Sequence, residues 1–156
     1  MSASLADDDL LIVRTFDAPA HVVFALWSEP QHMRRWMGPR GFDCPEAEID
    51  LRVGGTYRGM IRSAERGENR FGGVYREIER DKRLAFTFAW DNDGPSAGVE
   101  TLVTIIFEER DGKTIQTFHQ TPFLNVERRD SHVGGWNGSF DKLEAYAQTL
   151  AKENTA

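Results

Sequence analysis

Residues 132–150 read HVGGWNGSFDKLEAYAQTL, and the spacing within this stretch decides the architecture. Val133, Trp136, Phe140, Leu143, Ala147 and Leu150 recur at intervals of three and four, which places them along one face of a helix. Asp141, Glu144, Gln148 and Lys152 fall elsewhere on that helix and read as solvated. Gly134, Gly135 and Gly138 each oppose helix formation by about 1 kcal/mol, so they mark a close approach to another element or a loosened first turn. The firm part of the helix is placed after Gly135. A helix with this apolar stripe needs a surface to bury it against.

The preceding half of the chain supplies that surface. From Phe42 to Pro122 the pattern changes to short alternating stretches separated by turn residues, the signature of an antiparallel meander. Six strands are expected near Phe42 to Leu51, Thr56 to Ser63, Gly72 to Glu79, Arg83 to Trp90, Val99 to Glu108 and Thr114 to Gln120. Gly54-Gly55, the polar run Glu65 to Asn69, Arg80 to Lys82, Asn92 to Gly98 and Asp111-Gly112 separate them. Upstream, Leu10, Ile12 and Phe16 alternate with Leu11, Val13 and Thr15 as a first strand. Asp17-Ala18-Pro19 then offers a capping acid and an early proline to a short helix carrying Val22, Val23, Leu26 and Trp27. Pro30 interrupts it, Gln31 to Met37 forms a second brief helix, and Gly38-Pro39 stops that one. The fold class is therefore α+β: a strongly curved antiparallel sheet wrapped around a long carboxy-terminal helix, with two short helices after the first strand. No parallel strand–helix–strand unit appears, which argues against a doubly wound nucleotide fold. Residues 1–9 read as a loose leader and residues 10–152 as one domain.

Composition narrows the partners. The chain has 156 residues with ten Phe, four Trp and three Tyr, so its core is rich in rings. Nineteen basic residues against 25 acidic ones give a net charge of −6, a surface that repels nucleic acid in the absence of a basic stripe. Arg34, Arg35 and Arg40 lie close together, as do Arg128 and Arg129, and both groups read as solvated faces. The longest apolar run, Val22 to Trp27, is too short to span a membrane, and the acidic start of the chain is unlike a signal peptide. A cytoplasmic location is expected. Cys44, the one cysteine, reads as a buried thiol.

Signatures of chemistry are sparse. The chain lacks G-x-G-x-x-G, a phosphate-loop glycine-lysine motif and H-E-x-x-H, and its four histidines have no metal-ligand spacing, so neither a cofactor nor a metal is expected. Glu46, Glu48 and Asp50 share the outer side of a strand. His119, near the end of the last strand, is the one weak candidate for acid or base work. Arg14 lies on the Leu10, Ile12, Phe16 side of the first strand, where pairing with an acid is favoured over contact with an anionic ligand. Leu84, Phe86, Phe88 and Trp90 project to one side of a strand, and Val103, Ile105 and Phe107 to one side of the next. With Tyr57, Trp136 and Phe140 they line either a packed core or a cavity, and periodicity does not separate the two.

Several segments together resemble the Activator of heat-shock protein 90 ATPase homologue family, within the START-like, SRPBCC superfamily. They are Arg14 to Pro19, Val23 to Trp27 followed by Pro30, Trp36 to Pro39, Asp50 to Gly55, the strand around Gly73 to Ile78, Arg83 to Phe88, and Gly135-Trp136 with Leu143. The resemblance runs from about Leu11 to Leu150 and implies a helix-grip fold with a cavity between sheet and helix. It implies that a small hydrophobic molecule binds there, with Trp36, Tyr57, Phe86, Phe88, Val103, Ile105, His119, Trp136 and Phe140 as candidate ligand-contacting residues. Two alternatives stand beside this reading: a cyclase- or hydrolase-type enzyme using the same cavity, and a chaperone-interacting module. The eukaryotic co-chaperone that names the family has a separate amino-terminal domain for which this chain has no room, so chaperone stimulation is not expected. Exposed strand edges allow a homodimer.

Overall fold

The computed structural model describes residues 9–91, 100–123 and 125–155, with side chains through residue 152. The elements run β1 (Leu10–Phe16), α1 (Ala20–Ser28), α2 (Pro30–Trp36), β2 (Asp43–Ile49), β3 (Thr56–Ser63), β4 (Gly67–Glu79), β5 (Arg83–Trp90), β6 (Thr101–Arg110), β7 (Lys113–Thr121) and α3 (Val126–Thr155). All seven strands form one antiparallel sheet in the order β1-β7-β6-β5-β4-β3-β2. The first strand therefore returns to pair with the last, and the meander fills the rest. This is the helix-grip arrangement expected from the sequence.

Period-two alternation decides which face carries the core. On β7, Thr114, Gln116, Phe118 and Gln120 are buried, while the residues between them are half-exposed. On β6 the inner residues are Thr101, Val103, Ile105 and Phe107. The register sets Ile105 opposite both Leu84 and Phe118, so the inner residues of three strands form rows across the sheet. Against these rows lie Trp136, Phe140, Leu143 and Ala147 of α3, and nearly all the buried apolar residues belong to one cluster. The sheet bends at two register shifts, between Asp43 and Glu46 on β2 and between Tyr75 and Glu77 on β4. Beside the second, a Cβ on Gly73 would stand 1.9 Å from the Thr87 carbonyl oxygen, so β4 and β5 approach there as only glycine permits. The β6–β7 hairpin turns on Asp111 (φ 54°) and Gly112 (φ 77°), and positive φ at both positions is the signature of a type I′ turn.

Four local expectations are corrected. Asp17 does not cap α1. Pro19 holds the cap position without a side-chain bond, and the Ala20 N–H instead donates to Glu109 Oε1 at 2.8 Å, a carboxylate brought from β6. The second short helix starts at Pro30, whose missing N–H costs nothing at the first helical position. β4 begins at Gly67, so part of the polar run read as a loop is strand, paired from Ser63↔Gly67 onward. α3 begins at Val126 and contains all three glycines, because packing overrides their unfavourable propensity. The expected separator Asn92 to Gly98 and most of the leader lie outside the described residues.

Arg14 takes the ion-pair reading. Its guanidinium, one-fifth exposed, lies 3.0 Å from both Asp141 and Glu144 and ties β1 to α3. Cys44 is buried, and burial pushes its thiol pKa up. The acids of β2 are exposed, with Glu46 paired to Arg70. No helix among the described residues is long and apolar enough to cross a membrane.

Candidate functional site

A cleft of about 600 Å³ opens where the first half of α3 passes over the sheet. Its floor is aromatic because β4 and β5 turn successive inner residues to the same side. Phe71 and Phe88 stack at 5.4 Å with an 18° interplanar angle, and Trp90 meets Phe88 edge-on at 5.3 Å. Trp136 closes the inner end, 5.9 Å from Phe88 and 4.7 Å from Phe118. One wall is the helix, through Arg128, Ser131, His132, Gly134, Gly135, Gly138 and Ser139. The other is the loop of residues 37–42 with Ile61.

The glycines of α3 shape that wall. A Cβ on Gly134 would meet nothing within 4 Å, so its absence widens open space, whereas one on Gly138 would lie 3.1 Å from the Arg40 backbone nitrogen. Gly138 thus permits the loop to sit against the helix. Lys142 holds the loop there by donating to the carbonyls of Phe42 (3.0 Å) and Pro39 (3.4 Å), and burial lowers its pKa.

Below the cleft the interior is closed. A void of about 10 Å³ remains among Trp27, Met33, Tyr57, Tyr75, Phe86 and their neighbours, at most room for a single water. Trp36 is fully buried, donates from Nε1 to the Leu26 carbonyl and lies 4.7 Å from Trp27. Phe140 is fully buried among Phe16, Trp27, Phe118 and Trp136, and Val103 and Ile105 lie in the same solid packing. The candidate residues therefore divide. Phe88 and Trp136 line the cleft, Tyr57 and Phe86 border only the small void, and Trp36, Val103, Ile105 and Phe140 are core.

His119 is a correction of a different kind. It follows Phe118 and precedes Gln120, both inward, so its own side chain leaves by the outer face. There its Nε2 is 3.7 Å from Asp9 Oδ1. The imidazole in the cleft is that of His132, whose Nδ1 lies 2.8 Å from the Arg128 carbonyl and whose Nε2 accepts from Trp90 Nε1 at 3.1 Å. An N–H donor at one ring nitrogen and a carbonyl at the other fix the neutral Nδ1–H tautomer. Burial lowers its pKa, in keeping with that state. The buried Tyr57 hydroxyl donates to the Thr87 carbonyl at 2.6 Å, and burial raises its pKa well above the ordinary value. No cluster of metal-ligating side chains occurs among the described residues.

Sequence reasoning also missed Phe71 and Gln120. Gln120 is buried, accepting from Trp136 Nε1 and donating to Thr101 Oγ1, both at 2.8 Å. Arg66, inside the polar run read as a separator, and Arg128, read as part of a solvated face, reach the cleft from the β3–β4 turn and from the start of α3. The signal that could have found Gln120 was its place in the inward series of β7.

Residues 17–148 match the family described as "Activator of Hsp90 ATPase homolog 1-like protein". Among solved structures, protein CV1439 from Chromobacterium violaceum is 24% identical with a TM-score of 0.83, the match covering 91% of this chain and 98% of that one. The AHSA1 protein SPO3351 from Silicibacter pomeroyi is 26% identical with a TM-score of 0.77, over 93% and 99% of the two chains. Protein NE0264 from Nitrosomonas europaea is 21% identical with a TM-score of 0.78, over 96% and 99%. Comparison with curated proteins finds no match.

Proposed function

The chain belongs to the Activator of Hsp90 ATPase homolog 1-like family, and from that premise we propose that it binds a small hydrophobic molecule in the cleft between the sheet and the first half of α3. The carrying observation is the aromatic lining. Phe71, Phe88, Trp90 and Trp136 face a space of about 600 Å³, large enough for a drug-sized molecule. Phe71, Phe88 and Trp136 are buried beneath the cleft and Trp90 is half-exposed at it, so an apolar guest gains chiefly by taking the Trp90 ring and the apolar rim out of water. The closed interior beneath confines the guest to the cleft rather than to the centre of the sheet.

Binding is favoured over turnover because His132 has both ring nitrogens engaged and Ser139 donates its hydroxyl back to the Gly135 carbonyl. Neither is paired as base and nucleophile.

A neutral apolar fluorophore, N-phenyl-1-naphthylamine, tests the proposal. Saturable binding to the wild type with a change in tryptophan emission is expected, and Gly134→Phe should abolish it by filling the cleft from the helix side. Saturable binding that Gly134→Phe leaves intact, or none at all, would overturn the assignment.

A further inference from the structure

We propose that the cleft selects an amphipathic acid, a molecule with a flat apolar body and one carboxylate, and that Arg66 and Arg128 receive the carboxylate. This deepens the binding role proposed above and rests on it.

The argument begins with charge. The chain carries a net charge of −6, yet the described residues lining the cleft include Arg40, Arg66 and Arg128 and no carboxylate. A cation-only lining on an acidic protein is a local reversal of sign, and a low-dielectric wall beside it focuses the field on whatever enters.

The three arginines are not equivalent. Arg40 is already engaged by Asp141 at 3.1 Å, and the two arginines touching Asp141, Arg40 first, hold that carboxyl below its ordinary range. Most other arginines of the chain are in comparable pairs, including Arg14, Arg52, Arg58, Arg62, Arg70, Arg83 and Arg129. Arg66 and Arg128 are the two lining cations with no carboxylate at ion-pair distance among the described residues. Arg128 is also half-buried, so its guanidinium is less screened than a freely exposed one.

Placement agrees with chemistry. The aromatic floor runs inward to Trp136, while Arg66 and Arg128 come from the β3–β4 turn and the beginning of α3. A guest with its rings on Phe71, Phe88 and Trp90 would present an acidic end to these guanidinium groups. Their planar donor forks suit a carboxylate. Neutral His132 adds no repulsion to an apolar body and no charge to a cationic one.

Titration calorimetry with 2-naphthoate and its neutral isostere 2-naphthamide separates this inference from the one beneath it. The pair share shape and apolar area and differ in charge. At low salt the naphthoate is expected to bind roughly tenfold tighter, as charge-assisted hydrogen bonds require. In the Arg66→Met, Arg128→Met double variant the ratio of the two affinities should collapse to within about twofold, with naphthamide still binding saturably and the circular dichroism spectrum that of a folded protein. Equal binding of both compounds to the wild type would overturn the acid preference while leaving the cleft as a hydrophobic site. A preference that survives the double variant would overturn the role of these arginines. Binding of neither compound would remove the site itself.

Discussion

The indole Nε1 of Trp136 donates to Oε1 of Gln120 across the helix–sheet interface at 2.8 Å, and both side chains are buried. Gln120 then donates from Nε2 to Thr101 Oγ1, which in turn donates to the Phe88 carbonyl at 3.1 Å. This chain runs through the interior from α3 to β5 and fixes the orientation of the ring that closes the cleft. Replacing Gln120 by Leu fills the volume but strands the indole N–H. Gln120→Leu is therefore expected to lower stability by about 1 to 3 kcal/mol, read from urea unfolding midpoints. An unchanged midpoint would show that the network does not hold the helix to the sheet.

Phe140 differs from Trp136 although one helical turn separates them. It is enclosed by five ring neighbours with no cleft beside it, so Phe140→Trp overpacks the interior. A loss of about 1 to 3 kcal/mol is expected in thermal or denaturant melts. A variant as stable as the wild type would mean that space remains around this ring.

The glycines of α3 give a paired prediction. Gly134→Ala gains helix propensity against open space and should raise stability by up to about 1 kcal/mol. Gly138→Ala carries the same propensity gain but pushes on the Arg40 backbone from 3.1 Å, so it should be less stable than Gly134→Ala. Equal stabilities in differential scanning fluorimetry would contradict the close packing of the loop on the helix.

His132 predicts a pH dependence of defined sign. Its folded-state pKa lies below the ordinary 6.5, first because of burial, so the unfolded chain binds a proton before the folded chain does. Between these two values the unfolded state carries more protons, and stability falls as pH falls from about 6.5 downward. Protonation would also cost the bond from Trp90 Nε1. His132→Gln should flatten this slope relative to wild type in urea melts taken across that window. The acid Asp141 adds its own loss only at lower pH, below its ordinary 3.8, so the two are separable.

How much of this was legible beforehand depends on the range of the interaction. The stripe Trp136, Phe140, Leu143, Ala147 and the alternations of β5, β6 and β7 are local periodicities, and they led to the curved sheet gripping a helix. Asp17 lies two residues before the cap position, Pro19, and the Ala20 N–H is met instead by Glu109 from β6, a contact no local pattern encodes. Apolar residues at inner positions look alike in sequence whether they end in solid packing, as Ile105 does, or at a cleft, as Phe88 does.

The alternating and helical periods of the chain were enough to set the order of its elements and their inward faces, since both follow from the order of neighbouring residues, and composition alone set the sign of its net charge. The tertiary structure alone decided where space remains. That space exists because Gly134 withholds a side chain, Gly138 lets the loop of residues 37–42 approach, and Lys142 holds the loop in place. It also brought Arg66 and Arg128 to one cleft, because the sheet's curvature carries the β3–β4 turn toward the start of α3. A void and a meeting of distant charges are properties of packing, and packing is fixed only when the whole chain has closed on itself.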